Sequence, residues 1–379
     1  MKDHIKRQIQ PAIESRLGSG KAIIITGTRR VGKTFMIKAI QSNFNGKSIL
    51  MNGEDLLTQE LLSRRSVIHY RQILGEYQLL LLDEAQAITD VGKILKLLVD
   101  EMPALNIIAT GSSSFDLSNQ TGEPLTGRKI HFDLFPLSQS ELSDGYETRI
   151  ETYARLEERL VFGTYPEVAL TTKTEDKTEY LTELVRSYLL KDILTFEQIK
   201  NSSKLLQLLQ LLAYQVGNEV SLQELGRQLS LHRGTVERYL DLLSKVFIVF
   251  KLGGYSSNLR KEVVKSSKWY FHDNGVRNAV IGDFSPVPVR KDIGQLWENY
   301  LLSERIKRNS YKRLPTDYFF WRTYDQQEID LIERQNGQLA AFECKWKEKA
   351  IKPPVFFQKN YPGVPFQVVH KNNYLDFIL

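Results

Sequence analysis

The most constraining feature of the sequence is a glycine-flanked loop between an apolar strand and a helix. The apolar run Ala22–Thr26 leads into Gly-Thr-Arg-Arg-Val-Gly-Lys-Thr at residues 27–34, and Phe35-Met-Ile continues as a helix. Glycines let backbone N–H groups wrap around an anion, and the N-terminus of a helix adds a favourable dipole. The spacing therefore predicts a phosphate-binding loop within an α/β fold.

This loop defines what a bound nucleotide would contact. Lys33 is expected to reach the β- and γ-phosphates, and the Thr34 hydroxyl is expected to ligate Mg²⁺. ATP and Mg²⁺ are therefore the expected cofactors. The residues expected to contact the nucleotide are Gly27, Thr28, Arg29, Arg30, Val31, Gly32, Lys33 and Thr34.

A pair of acidic residues completes the predicted nucleotide site. The continuous apolar run Leu79–Leu82 is typical of a parallel strand buried on both faces, and it ends in Asp83-Glu84. Ligands bind at the carboxyl ends of such strands. Asp83 is expected to hold Mg²⁺ through water and Glu84 to polarise the attacking water. The alternative is a pair of acidic residues that only caps a helix.

Two later segments supply further candidates for the same site. The strand that ends at Thr110 runs into Gly-Ser-Ser-Ser, so Thr110 or Ser112 could sense the γ-phosphate; the alternative is a plain serine-rich loop. Arg128 could stabilise transition-state charge in cis, act on a neighbouring copy, or be an ordinary surface arginine.

Apolar strands alternate with helical stretches from residue 21 to about residue 135, which predicts a parallel sheet covered by helices. Beyond Phe135 the pattern becomes helical, at Leu156–Phe162, Glu179–Phe196 and Lys204–Val216. The expected strands of the sheet are Lys21–Thr26, Ser48–Asn52, Leu79–Asp83, Leu105–Thr110 and Lys129–Leu134.

Residues 219–240 predict two short helices around a turn, and strands follow at Val246–Leu252 and Lys268–His272. Two such helices followed by a two-stranded wing are the outline of a winged helix. The recognition helix would be Arg233–Leu243. DNA contact and protein docking both remain open for this module. The residues that would be exposed are His232, Arg233, Thr235 and Arg238, with Arg260, Lys261, Lys265 and Lys268 on the wing.

The C-terminal part carries two acidic strands around Asn336-Gly337, the strongest two-residue signal for a β-hairpin. In a hairpin centred there, Asp330 faces Glu343, with Cβ atoms roughly 5 Å apart. Facing carboxylates repel unless a cation or proton lies between them, and hard oxygen ligands favour Mg²⁺ or Mn²⁺.

Two further residues could complete this metal site. Lys345 lies on the same face as Glu343 and could activate water, whereas Glu298 on the preceding helix could be another ligand. The alternative is a salt-bridged surface in which Lys345 and Glu328 neutralise the carboxylates.

Several of these segments together resemble the bacterial and archaeal AAA-type ATPases that carry a winged helix and a C-terminal domain of the PD-(D/E)XK nuclease type. The resemblance implies an ATPase and places the nuclease motif on Asp330 and Glu343-Cys-Lys345. Trp346, where the family usually has a small residue, departs from the pattern. The matching segments are those at residues 27–34, Leu-Leu-Leu-Asp-Glu-Ala-Gln, Ala-Thr-Gly-Ser-Ser, Leu-Thr-Gly-Arg, Phe-Pro-Leu-Ser, Gly163–Glu167, Tyr188–Asp192 and Tyr270–Gly275.

Composition limits the remaining possibilities. The one cysteine, Cys344, fits a reducing compartment, and the absence of a long apolar run argues against a membrane partner, so we expect a cytoplasmic protein. Residues 251–379 hold 21 Lys+Arg against 14 Asp+Glu, an excess that suits nucleic acid or only a solvated surface. A homo-oligomer or a protein partner is also open.

We therefore expect four domains. They are an AAA-type P-loop ATPase core at 1–142, a helical segment at 143–200, a winged helix at 201–285 and a small α/β restriction-endonuclease-like domain at 286–379. The expected function is ATP hydrolysis coupled to binding nucleic acid, with cleavage as a further expectation. The alternative is an ATP-gated switch or scaffold that binds a protein and never cuts.

Overall fold

The computed structural model describes residues 5–112, 125–144, 147–189, 202–256, 267–323 and 325–379. It divides into two compact units. The first is Lys6–Phe135, and the second is Pro136–Leu379 together with Met1–Ile5. Within the described ranges, no helix is long and apolar enough to cross a membrane.

The first unit is built on a five-stranded sheet with the order β2-β3-β4-β1-β5. All four neighbouring pairs are parallel, as the strand–helix alternation predicts. The strands are β1 (Ala22–Thr26), β2 (Ser48–Asn52), β3 (Leu79–Asp83), β4 (Asn106–Gly111) and β5 (Lys129–Asp133). The helices are α1 (Gln10–Glu14), α2 (Lys33–Asn43), α3 (Leu56–Ser63), α4 (Val67–Leu74) and α5 (Val91–Glu101).

The core of this unit explains why the sheet is parallel. The four leucines that begin β3 are fully buried, and the four apolar residues that begin β1 are buried as well. Strands that are apolar at every position need cover on both faces, which crossover helices supply. Each expected strand lies within one residue of the observed one, so the α/β prediction is confirmed for this unit.

The second unit has a seven-stranded mixed sheet with the order β12-β11-β10-β9-β7-β8-β6. Its strands are β6 (Glu219–Val220), β7 (Val249–Gly254), β8 (Ser267–Phe271), β9 (Asp317–Arg322), β10 (Glu328–Gln335), β11 (Gln338–Cys344) and β12 (Phe366–Val369). Its first helices are α6 (Gln139–Ser143), α7 (Arg149–Ala154), α8 (Leu156–Phe162), α9 (Pro166–Leu170) and α10 (Thr174–Glu183). The later ones are α11 (Ser202–Tyr214), α12 (Leu222–Leu229), α13 (Arg233–Lys245), α14 (Asn274–Ile281), α15 (Ile293–Tyr311), α16 (Val355–Asn360) and α17 (Tyr374–Ile378).

The predicted helix–turn–helix segment lies between β6 and β7. Ser221 caps α12 by accepting a hydrogen bond from the Glu224 N–H, and His232 caps α13 in the same way. Strand β8 pairs antiparallel with both β7 and β6. The order of elements is the expected one, and assignment as a winged helix stays a prediction. Of the expected wing residues, Arg260, Lys261 and Lys265 lie outside the described residues.

One sheet crosses the boundary that we expected between a third and a fourth domain. Strand β9 continues the sheet by pairing in parallel with β7, at Gly253 opposite Phe319 and Gly254 opposite Phe320. Backbone hydrogen bonds therefore join strands on the two sides of the expected boundary at residues 285 and 286. That boundary stays a prediction.

The predicted C-terminal hairpin forms in the expected register. Gln335 pairs with Gln338 and Leu331 with Phe342. Asn336 and Gly337 have φ values of 49° and 79°, the left-handed conformations that a two-residue turn of this kind requires. A bulge between Ile329 and Ile332 interrupts the pairing with β9, beside Asp330.

One helical prediction differs from the observed structure. The expected helix Glu179–Phe196 begins earlier, as α10 at Thr174, and the chain passes into a π-helical stretch at Leu184–Leu189. Residues 190–196 of this prediction lie outside the described residues. The apolar spacing predicts a helix but does not distinguish the two hydrogen-bond patterns, whose bonds span four and five residues.

Candidate nucleotide site and carboxylate cluster

The phosphate-binding loop joins β1 to α2 through positions with special backbone conformations. Arg30 and Gly32 have φ values of 63° and 94°. A Cβ on Gly27 would lie 2.1 Å from the Leu134 carbonyl oxygen, so only glycine fits there. Both glycines of the motif are therefore required by the shape of the loop.

The Lys33 side chain is buried and lies along the loop. Its Nζ donates hydrogen bonds to the carbonyl oxygens of Gly27 and Thr28, at 2.8 and 3.0 Å. Arg7, also buried, supports the loop: its guanidinium donates to the carbonyl oxygens of Val31, at 2.6 Å, and Phe135, at 2.7 Å. Sequence reasoning missed Arg7, which lies far from the motif in the chain.

The carboxylate of Asp83 joins three neighbouring elements. Thr34, at the start of α2, donates its hydroxyl to Asp83 Oδ2 at 2.6 Å. Thr110, fully buried in β4, donates its hydroxyl to Asp83 Oδ1. The three residues predicted to surround the γ-phosphate and the metal ion are therefore in direct contact, because β3 and β4 are neighbours in the sheet.

Glu84 has an unusual backbone conformation for a non-glycine residue, with φ 48°. Its N–H donates to Thr110 Oγ1 at 3.3 Å, which ties the turn to β4. Gln86 Nε2 donates to Glu84 Oε2 at 2.5 Å, and Gln86 Oε1 accepts from the Ser112 N–H at 3.3 Å. Gln86 therefore links the predicted catalytic carboxylate to the predicted sensor.

Sequence reasoning assigned no role to Gln86 or to Gly53. A Cβ on Gly53 would lie 2.4 Å from the Glu84 carbonyl oxygen, so the turn after β2 also needs a glycine to let Glu84 approach. The signal for Gln86 was its place two residues after Glu84. Gly53 had no local signal, because its neighbour is distant in sequence.

In the second unit, Lys345 forms ion pairs with the two facing carboxylates of the hairpin. Lys345 Nζ lies 2.7 Å from Glu343 Oε1 and 3.7 Å from Asp330 Oδ2. The Cys344 N–H donates to Asp330 Oδ2 at 2.8 Å. Burial and the Asp330 charge raise the pKa of Glu343. Burial alone would lower the pKa of Lys345, but the charges of Asp330 and Glu343 raise it above its usual value.

Glu298, on α15, is held by side chains from β8. Tyr270 donates its hydroxyl to Glu298 Oε1 at 2.6 Å, and Lys268 Nζ lies 3.8 Å from the same oxygen. Burial, followed by the Asp330 charge, raises the pKa of Glu298 to about 8. Lys268 also forms an ion pair with Glu328, so the predicted wing lysine is buried among carboxylates.

These contacts bear on the predicted C-terminal metal site. One oxygen of each carboxylate is already held by a protein group. Tyr270 donates to Glu298, the Cys344 N–H donates to Asp330, and Lys345 pairs with Glu343. Among the residues that the structure describes, no group of three or more His, Cys, Asp or Glu side chains is arranged to hold a metal ion. The roles of Glu298, Asp330 and Glu343 as metal ligands stay predictions.

Comparison with known families identifies the first unit. Residues 19–143 match the family model of the AAA domain. These residues form an AAA-type P-loop domain. Residues 153–286 and 293–368 match two domains of unknown function, DUF8612 and DUF4143. The AAA match supports ATP binding and hydrolysis by this chain. The matched range includes the loop at residues 27–34 and both Asp83 and Glu84.

Similar proteins cover most of the chain. A protein of Mycobacterium tuberculosis is 25% identical over 347 residues, which cover 90% of this chain and 74% of the relative. One of Methanocaldococcus jannaschii is 27% identical over 370 residues, covering 90% and 81%. The Walker-type ATPase PABY2304 of Pyrococcus abyssi is 18% identical, with a TM-score of 0.49, covering 74% of this chain and 97% of that chain. The RuvB Holliday junction branch migration motor of Thermotoga maritima is 18% identical, with a TM-score of 0.30, covering 66% and 89%.

The donors of the AAA domain fit a Mg²⁺ ion. Thr34 and Asp83 supply hydroxyl and carboxylate oxygens, the hard ligands that Mg²⁺ prefers. Thr34 lies at the N-terminus of α2 and Asp83 ends β3, and phosphate oxygens at the helix N-terminus would complete the coordination. The set is small, as is usual for a metal ion that shares its ligands with a nucleotide.

The position of Arg128 bears on its expected role in the AAA domain. Its carbonyl oxygen accepts from the N–H of Ala22, the first residue of β1, whereas the phosphate-binding loop follows the last residue of that strand. At about 3.3 Å per residue, the strand separates Arg128 from the loop by roughly 13 Å. Arg128 instead pairs with Asp100 at 2.6 Å. The role of Arg128, in cis or on a neighbouring copy, stays a prediction.

Proposed function

We propose that this chain hydrolyses ATP with Mg²⁺ at the AAA domain and couples hydrolysis to binding nucleic acid through residues 201–379. The observation that carries the ATPase part is the chain of hydrogen bonds from Thr34 through Asp83 to Thr110. It brings together three elements that a nucleotide and its metal ion would touch. Binding there would change these contacts, which is how a nucleotide state could be transmitted along β3 and β4.

Each residue of the site has a role that follows from its position. The backbone N–H groups of residues 27–34 cradle the phosphates, and Lys33 leaves its two carbonyl partners to contact the β- and γ-phosphates. Thr34 and Asp83 hold Mg²⁺, which neutralises charge on the phosphate oxygens when bound. Thr110 and Ser112 lie buried at the end of β4, where they sense the γ-phosphate.

Glu84 is the proposed general base. Its carboxylate lies one residue beyond the metal ligand Asp83, and Gln86 holds one of its oxygens. The remaining oxygen is the one that orients the attacking water and accepts its proton. The left-handed backbone at Glu84 costs free energy, which is consistent with a conformation kept for its function.

Nucleic acid is the proposed partner of the second unit because of its charge. Residues 251–379 hold 21 Lys+Arg against 14 Asp+Glu, and His232, Arg233 and Arg238 are exposed on or next to α13. Glu237 and Asp241 are also exposed on this helix, so its own charge is modest. Phosphate contacts spread over the unit, rather than one strongly basic helix, would therefore supply the affinity.

Cleavage of the nucleic acid is not part of this proposal. Lys345 closes on Asp330 and Glu343, and this arrangement supports a second candidate function, an ATP-gated switch or scaffold whose C-terminal part binds a protein and does not cut. In that case the ion pairs of Lys345 with Asp330 and Glu343 stabilise the sheet and take no part in cleaving a phosphodiester.

The decisive experiment compares the ATPase rate of the full chain with and without nucleic acid. We expect single-stranded or duplex DNA to raise the rate, and Lys33→Ala to abolish both the basal and the stimulated rate. A wild-type rate that no nucleic acid changes would favour the protein-binding switch. No ATPase activity in the presence of Mg²⁺ would contradict the proposal as a whole.

A further inference from the structure

A basic and aromatic surface follows directly after Lys345. We define the Phe356 surface as Lys347, Lys349, Lys352, Phe356 and Lys359, which lie on the segment after β11 and on α16. The four lysines are exposed, and Phe356 is 52% exposed. The charge and the exposed ring belong to one stretch of chain of fewer than fifteen residues.

The lysines of this surface are not neutralised by the protein. None of the four forms an ion pair with a carboxylate in the part of the chain that the structure describes. The acidic residue of the segment, Glu348, accepts a hydrogen bond from Asn372 Nδ2 at 2.9 Å. With the charge of Glu348 included, residues 347–359 keep a net charge of +3, and such an excess at a surface attracts a polyanion.

The ring of Phe356 is held in place while about half of the residue stays exposed. It stacks on Trp321 of β9, with ring centroids 6.3 Å apart and planes at 26°. The next residue, Phe357, is 1% exposed and packs edge-on against the same tryptophan at 5.1 Å. Because Phe357 anchors α16 to the sheet, Phe356 is presented at a fixed place rather than on a loose loop.

The surface lies beside the carboxylate cluster. Trp321 pairs with Ile329, which directly precedes Asp330. Phe357 packs with Ile332 and Ala341, and Ala341 lies two residues before Glu343 on the same face of the sheet. A strand of nucleic acid bound along the Phe356 surface would therefore pass the facing carboxylates and Lys345.

We propose that the Phe356 surface binds single-stranded nucleic acid, with a base stacked on Phe356 and the backbone phosphates on Lys347, Lys349, Lys352 and Lys359. This inference rests on the proposed binding of nucleic acid by residues 201–379 and assigns its place and strandedness. Unpaired bases are favoured because they expose the faces that an aromatic ring stacks on, whereas paired bases in a duplex do not. An acidic protein segment would satisfy the lysines but would leave the Phe356 ring without a specific partner.

The test measures binding of a fluorescein-labelled single-stranded oligothymidine to the full chain by anisotropy, at about 50 mM salt and above. Phe356→Ala and Phe356→Leu should each weaken binding by about fivefold or more, because both lose the stacked base. Phe356→Trp should retain the affinity. The matched control is Ile150→Ala, since Ile150 is 82% exposed elsewhere in the unit.

The phosphate contacts are tested by the salt dependence. Lys349→Gln combined with Lys352→Gln should reduce the slope of log Kd against log salt by about 1.4, the value for two phosphates of a single strand. The same change at Lys173 and Lys291, two exposed lysines outside the surface, should leave the slope unchanged.

The outcomes separate this inference from the proposed function. If the wild type binds single strands and the Phe356 variants bind as well as the control, the Phe356 surface is not the binding site. The proposed nucleic-acid binding by the chain would then still hold. If the wild type binds only duplex, the strandedness is wrong. If polyglutamate displaces the oligonucleotide at equal charge concentration, an acidic protein is the better partner. If neither single strands nor duplex bind, the proposed function itself fails.

Discussion

At the scale of single residues, the nucleotide site makes separable predictions for Lys33 and Glu84. Lys33→Ala should weaken ATP binding by at least about tenfold, because a charge-assisted contact to phosphate is lost. Glu84→Gln should keep binding but lower the turnover number by about a hundredfold or more, since only proton transfer is removed. Binding is measured with a fluorescent nucleotide and turnover by phosphate release.

The matched control for these two variants is Glu76→Gln. Glu76 lies in the same unit and pairs with Lys47 at the surface, where both side chains are more than half exposed. Its removal should change neither binding nor turnover. A Glu84→Gln variant that hydrolyses ATP at the wild-type rate would show that another group activates the water.

Asp330 is the residue that separates a metal site from a structural ion pair. In the observed arrangement it accepts from the Cys344 N–H and lies 3.7 Å from Lys345 Nζ. Asp330→Asn should therefore lower the free energy of unfolding by about 1 kcal/mol, since a favourable charge is lost. Urea unfolding with and without Mn²⁺ should give the same change. Stabilisation by Asp330→Asn without metal, together with a Mn²⁺ effect in the wild type only, would instead indicate a metal site.

At the scale of elements, α15 connects two parts of the second unit. Its first half carries Glu298 of the carboxylate cluster. Its second half carries Glu304 and Lys307, both 1% exposed and 2.7 Å apart. Lys307 Nζ also donates to the Leu137 carbonyl oxygen at 3.2 Å, and Glu304 Oε2 accepts from the Gln139 N–H at 2.6 Å. The segment that begins this unit is thereby fastened to α15.

The buried pair predicts an asymmetric response to mutation. Lys307→Met leaves Glu304 buried without its counter-charge and should cost about 3–5 kcal/mol of unfolding free energy. Adding Glu304→Gln removes that charge while keeping an acceptor for Gln139, so the double variant should be more stable than Lys307→Met alone. Urea unfolding of the full chain measures both. A double variant that is less stable than the single one would show that the charge of Glu304 is not the source of the cost.

At the scale of the whole molecule, buried ionisable groups make stability depend on pH. His272, at the end of β8, contacts the rings of Phe247 and Phe250. Burial, and then the charge of Lys307, lower its pKa to about 3. Below its unfolded pKa of about 6.5, the unfolded chain binds a proton there that the folded chain does not, so acid favours unfolding.

This difference can be measured with His272→Gln. Between pH 7 and pH 4.5 the wild type should lose about 2.5 kcal/mol more unfolding free energy than the variant. The comparison is needed because burial also raises the pKa values of Asp273 and Glu298, and those groups act in the opposite direction. Equal losses in the two proteins, measured by urea unfolding at each pH, would contradict the assignment.

Local sequence was enough to predict the first unit. The strand bounds followed from apolar runs such as Leu79–Leu82, because a strand buried on both faces has no polar position. The loop at residues 27–34 was predictable because a turn around phosphate requires glycine at set places. The hairpin register was predictable for the same reason, since Asn336-Gly337 allows only one pairing of its strands.

Other features depended on contacts between residues distant in sequence, and only the tertiary structure decided them. Arg7 donates a hydrogen bond to the phosphate-binding loop, and Gly53 leaves room for the Glu84 carbonyl group. Both contacts join residues more than twenty positions apart, so no local sequence pattern predicts them. Arg128, directly before β5, pairs with Asp100, a contact that spacing alone does not reveal. Lys345 could have stood apart from the carboxylates or paired with them, and the fold placed it between Asp330 and Glu343. Sequence periodicity determines which helices and strands form. Which charged side chains become buried and paired depends on which of these elements pack together in the fold.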